Sequence, residues 1–139
     1  MGRKDPNQRG TAAVEFALLA PIFIAVLFAI VEFGLILYTK SMLAQATREG
    51  ARYGVVYCTP RRTTAEIQAV VQKYLNQCNL TSGATVTVTG AGGASGSVLD
   101  VGVTYSYRFF VLPADMNRFL GGKLPTSISL NTDTRMIME

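Results

Sequence analysis

An α+β fold hung from a membrane-crossing helix is the class this sequence predicts, and three patterns carry the prediction. Phe16 to Val31 contains no charged residue, and apolar character resumes after Glu32. A second, shorter segment repeats its apolar residues at helical spacing, and beyond Cys78 the repeat shortens to two. The expected architecture is a long N-terminal transmembrane helix continuing into an exported domain, where a second amphipathic helix packs on a three-stranded antiparallel sheet.

The first element is the membrane helix. Met1–Gly10 is short, polar and net positive, with no means of forming a packed element, and reads as a leader. A bilayer core of ~30 Å needs about 20 helical residues, and Thr11–Leu37 supplies them. With Arg3, Lys4 and Arg9 ahead of it, the positive-inside rule puts the N-terminus in the cytoplasm and everything after Tyr38 outside. A cleaved secretory signal is the rival reading. It is disfavoured because the apolar run exceeds the 7 to ~15 residues of a signal core and no small-x-small site follows it promptly.

Tyr38–Tyr57 contains no proline and is rich in Ala, Met, Leu, Gln, Arg and Glu, so the helix is predicted to continue to about Tyr57. Ala46, Gly50 and Gly54 recur at i, i+4 along it, with Thr47 and Ala51 one position on. Each glycine costs a helix ~1 kcal/mol relative to alanine, so close packing against a partner or the exported domain must offset it.

Thr59 and Pro60 end this helix. Thr63 with Glu66 has the capping-box pattern, and Ile67, Val70, Val71, Tyr74 and Leu75 then fall on one face. That face is expected to pack on the outer part of the first helix. Leu99, Val101, Val103, Tyr105, Tyr107 and Phe109 alternate with polar or small residues, as in a half-buried strand. Ala84–Thr89 and Thr126 to about Met136 repeat the pattern, with Val86/Val88 and Ile128/Leu130 facing inward, and Gly90–Gly96 is a turn. Phe110–Pro125 reads as a surface connection with one helical turn at Ala114–Leu120. The organisation is thus a leader at 1–10, a transmembrane and extended helix at 11–57, and an extracytoplasmic domain at 58–139.

Composition narrows the function. The 139 residues are 49% hydrophobic and only 16% charged, with the apolar excess concentrated in the membrane segment. The net charge of +4 comes from scattered groups with no basic stripe, which argues against a nucleic-acid partner. There is no histidine, and no nucleophile elbow or phosphate-cradling loop; Gly90–Gly96 lies between strands, where a hairpin explains it. Tyr105, Tyr107 and Phe109 beside Arg108 read as the core face of a strand rather than a base-stacking platform. No enzymatic activity, cofactor or metal is expected. Cys58 and Cys78 cannot fill a zinc shell; they read as a disulfide pinning helix to helix, with two free thiols as the alternative.

Two carboxylates stand out in the apolar segment. If the membrane begins near Thr11, Glu32 lies ~32 Å along, at the far interface, where headgroups and water solvate it. Glu15 is ~6 Å inside the near boundary and wants a cationic partner, unless it stays among the headgroups. Pro21 removes the hydrogen bond to the Ala17 carbonyl and is expected to kink the helix.

The string from Arg9 through Gly10, Thr11 and Glu15 to Leu18, followed by Pro21 and an apolar run, resembles the TadE-like minor pilins (pseudopilins) of the tight-adherence (Flp) pilus system. Ala46–Gly54 is similar to that family's post-membrane helix motif, and the close at Arg135, Met136 and Glu139 fits as well. The resemblance implies a pilin-like fold and a leader cut between Gly10 and Thr11 by a prepilin peptidase. The new amine would then pair with Glu15 of the same or a neighbouring subunit. It also implies a structural subunit that joins other pilin subunits and the pilus assembly platform at the bacterial inner membrane, contributing to adhesion and biofilm formation. A main filament subunit and a membrane-tethered binding module are the competing readings.

Overall fold

A computed structural model describes residues 6–110, 121 and 127–139. Helix α1 runs from Pro6 to Val55 over 50 residues, ~75 Å at helical rise, and continues through Pro21. It ends two residues before the expected Tyr57. It also starts inside the segment read as an unstructured leader, because Pro6 suits the first turn of a helix, where its missing N–H is no loss. Most of the expected connection between Phe110 and Pro125, including the turn at Ala114–Leu120, lies outside the described residues.

Helix α2, Thr64–Gln77, begins at the expected capping box: Thr63 Oγ1 accepts from the Glu66 N–H, and the Glu66 carboxylate accepts from the Thr63 N–H at 2.8 Å. It ends in a Schellman motif, with Asn79 at a φ of 55° and the Leu80 and Asn79 N–H groups donating to the Leu75 and Asn76 carbonyls. Ile67, Val71 and Leu75 are buried. Tyr74, expected on the same face, is 38% exposed: it lies one position round from Leu75, where the apolar stripe meets solvent.

The strands are β1 (Ala84–Thr89), β2 (Val98–Arg108) and β3 (Ser127–Ile137), antiparallel and in the order β1-β2-β3. Asp100 lies opposite Arg135, and their side chains pair at 2.7 Å; Thr104 opposite Asn131 is hydrogen-bonded at 2.6 Å. These cross-strand pairs fix the register on the solvent face. The other face, Leu99, Val101 and Val103 with Leu130, packs beneath Leu43, Ala46 and Ala51 of α1 and the buried row of α2. Each fully buried Val, Leu or Ile among them contributes about 1.5–3 kcal/mol. The fold is α+β, with two helices on one face of a three-stranded sheet.

Candidate functional site

Along α1, the residues covered by the rest of the chain form one stripe: Glu32, Ile36, Thr39, Leu43, Ala46/Thr47, Gly50/Ala51 and Gly54/Val55. Steps of three and four hold these positions on one face of a helix. The small residues let the helix sit close. A Cβ at Gly50 would lie 2.3 Å from Val71 Cγ2, and one at Gly54 would lie 2.5 Å from Leu99 Cδ2 and 2.7 Å from Ile67 Cδ1. Ala46, Gly50 and Gly54 are thus occupied by α2 and the sheet of their own chain. Thr47, fully buried, meets Thr134 of β3 at 2.9 Å, which sets α1 on the sheet.

Glu32 opens this stripe. It is 4% exposed, and its Oε1 accepts from the Tyr107 hydroxyl at 2.7 Å and from the Phe110 N–H at 3.1 Å. The expectation that headgroups and water solvate Glu32 is therefore corrected: the end of β2 reaches down α1 and supplies donors that a carboxylate in an apolar setting requires. Burial first, and then the bond to Glu32, push the Tyr107 hydroxyl up to about 12. The Tyr107 ring also meets Phe109 edge to face, with centroids 6.2 Å apart. Sequence reasoning missed this site, although a signal was present. Stepping back from Leu43 by the helical repeat leads through Thr39 and Ile36 to Glu32.

Below Glu32 the helix is bare. Among the described residues α1 alone is long and apolar enough to cross a membrane, and none of its apolar window is buried by the rest of the chain. Gly10, Thr11, Glu15 and Pro21 all lie on this bare rod, exposed and remote from the sheet. A Cβ at Gly10 would meet nothing within 4 Å, so the fold itself gives no reason for glycine there.

The cysteines are not bonded: Cys58 and Cys78 are free thiols, each partly buried. The expected disulfide fails for a geometric reason. Gly54 packs beside Ile67 and Gly50 beside Val71, so α2 runs antiparallel to α1. Cys58 therefore lies near the start of α2 and Cys78 at its C-cap. The 14 residues of α2 span ~21 Å, whereas a disulfide needs Cα atoms within ~7 Å. At the Cys58 end, the Arg61 and Arg62 guanidinium groups sit over the Tyr57 and Tyr53 rings at 4.7 and 4.5 Å. Arg61 also donates to the Glu139 carbonyl.

These features divide the chain into a bare apolar rod, a helical stripe clasped by a domain, and a buried carboxylate where the two meet. Comparison with known proteins finds a family match in the helix alone: the family model of TadE-like protein matches residues 10–52, covering the rod and most of the clasped stripe. No curated protein and no solved structure matches the chain. Residues 10–52 are therefore the part of the chain that is similar to TadE-like protein.

Proposed function

We propose that this protein is a non-catalytic minor-pilin-type subunit of a tight-adherence pilus, processed after Gly10 and assembled through its bare helix. The observation that carries the reading is the coincidence of the family match at 10–52 with an apolar rod that no other described part of the chain covers. Such a rod is stable in lipid or against other rods of its kind, and transfer between the two keeps its apolar surface dry. Gly10 costs the helix ~1 kcal/mol without any packing return, which suits recognition by a peptidase subsite too narrow for a side chain. Glu15, exposed on the rod, can neutralise the amine that cleavage would create at Thr11. On this reading the protein sits in the bacterial inner membrane with its domain outside. Its partners are pilin subunits, the assembly platform and a prepilin peptidase, and adhesion and biofilm formation are its outcome.

Intact mass of the membrane-derived protein, made with and without a prepilin peptidase, tests the proposal. Peptidase-dependent loss of Met1–Gly10, abolished in Gly10→Ile, is the expected result. An N-terminus left intact would instead favour a stationary membrane-tethered binding module.

A further inference from the structure

Strand β2 ends at Arg108, and the residues after it continue down the flank of α1 until the Phe110 N–H meets Glu32 Oε1 at 3.1 Å. Helical side chains lean toward the N-terminus, so this bond holds the Phe110 backbone level with Glu32 or slightly toward the bare rod. The Phe110 ring takes no part in the core: it is 83% exposed. Beside it, Leu35, Tyr38, Tyr107 and Arg108 line one shallow hollow, and Tyr38 is 60% exposed.

The depth of this patch follows from the rod. Exposed apolar residues run along α1 from Val14 to Tyr38, ~37 Å at helical rise, against a hydrocarbon core of ~30 Å. A core beginning at Val14 puts Glu32, ~27 Å along, just inside the outer boundary. Phe110 is held at that level. A phenylalanine flanked by a tyrosine and an arginine has the chemistry of a bilayer interface, where aromatic rings sit at headgroup level and long cations reach up to phosphate.

We propose that the tip of the sheet, Phe110 with Leu35, Tyr38 and Arg108, is a second membrane contact, seated in the lipid leaflet on the domain's side. Lipid is the occupant because the patch is continuous with the bare face of the rod and lies at its depth, and because Arg108 complements phosphate. The inference rests on α1 crossing the bilayer. It adds that the domain is not free to swing on its stalk, since one corner is fastened to the membrane surface.

The chain has no tryptophan, so single substitutions give clean fluorescent reporters. Full-length Phe110→Trp is reconstituted in phosphatidylcholine–phosphatidylglycerol vesicles carrying brominated chains, with circular dichroism confirming the fold. Phe23→Trp, on the exposed rod, reports on insertion. Val56→Trp, at the far end of α1 and ~35 Å from Glu32, reports on the distal pole. Expected are loss of most Phe110→Trp emission with bromines near the headgroup, loss of Phe23→Trp emission with deep bromines, and an unquenched Val56→Trp. Quenching of Phe23→Trp with none at Phe110→Trp overturns this proposal while leaving the membrane helix intact. An unquenched Phe23→Trp refutes the membrane helix itself. A concentration-dependent blue shift of Phe110→Trp without bromine quenching shows a second protein copy on the patch and overturns lipid as its occupant. Should Phe110→Trp misfold, Arg108→Trp reports on the same tip, and its failure to quench overturns the proposal equally.

Discussion

Tyr107 donates its hydroxyl to the Glu32 carboxylate at 2.7 Å across a sequence separation of 75, fastening the far end of β2 to α1 where the bare rod begins. Replacing Tyr107 by Phe keeps the ring packed against Phe109 and removes only the donor. Hydrogen bonds to charged groups contribute about 1.5–3 kcal/mol, and a loss of that size is expected in urea unfolding of the detergent-solubilised protein. No change in the unfolding midpoint would mean that the Phe110 N–H and the other contacts of Glu32 satisfy the carboxylate without Tyr107.

The same bond sets an alkaline limit. Tyr107 holds its proton more tightly folded than unfolded, with its pKa raised from 10.0 to about 12. Its contribution is therefore complete below the unfolded value of 10.0 and is lost as pH rises through about 12. Absorbance titration of phenolate should show a step near the upper value that disappears in Tyr107→Phe.

Glycine substitutions along α1 should separate by what a Cβ would meet. At Gly50 it meets Val71 Cγ2, which sits on a stiff β-branched side chain, and Gly50→Ala is expected to cost about 1–3 kcal/mol. At Gly54 it meets Leu99 Cδ2, Ile67 Cδ1 and Ile67 Cγ1, all on fully buried side chains, so Gly54→Ala should cost a similar amount. Gly34→Ala meets nothing within 4 Å and should leave stability unchanged or raise it. Thermal unfolding of the three variants under one detergent condition gives the order.

Free thiols make a plain prediction for Cys58 and Cys78. The unfolded protein should take up two maleimide adducts by mass without prior reduction, and unfolding midpoints should agree with and without reductant. Cys58→Ser with Cys78→Ser should stay within about 1 kcal/mol of the parent. Protein that resists labelling until reduced would show the thiols joined after all.

Glu15→Ala tests the assembly role proposed for a carboxylate that the domain never touches. Membrane fractionation should be unchanged, because removing a charge from the rod eases insertion. Recovery in sheared surface fibres should fall at least about tenfold, corresponding to loss of one charge pair of ~1.4 kcal/mol or more. Normal fibre incorporation would remove the role assigned to Glu15.

Periodicity made most of the architecture legible. The uncharged run, the Thr63–Glu66 cap and the alternation from Leu99 to Phe109 are local signals; the three strands formed within one residue of their expected bounds, and α1 ended two residues short of Tyr57 but began at Pro6, inside the expected leader. Long-range partners were less visible. Glu32 looked like an interfacial charge because its donors lie on a strand far along the chain, although its register with Ile36, Thr39 and Leu43 already placed it on the buried stripe. The cysteines mislead in the opposite way: they read as a disulfide pinning helix to helix, yet they sit at opposite ends of a rigid helix that holds them apart. Tyr74 shows how narrow the buried stripe of α2 is, since one step round from Leu75 reaches water.

The upper half of α1 is gripped lengthwise by α2, β2 and β3, and the Glu139 N–H closes onto the Val55 carbonyl at 3.2 Å. Tension drawn along the shaft therefore enters three segments in shear, where contacts bear load together instead of peeling in turn.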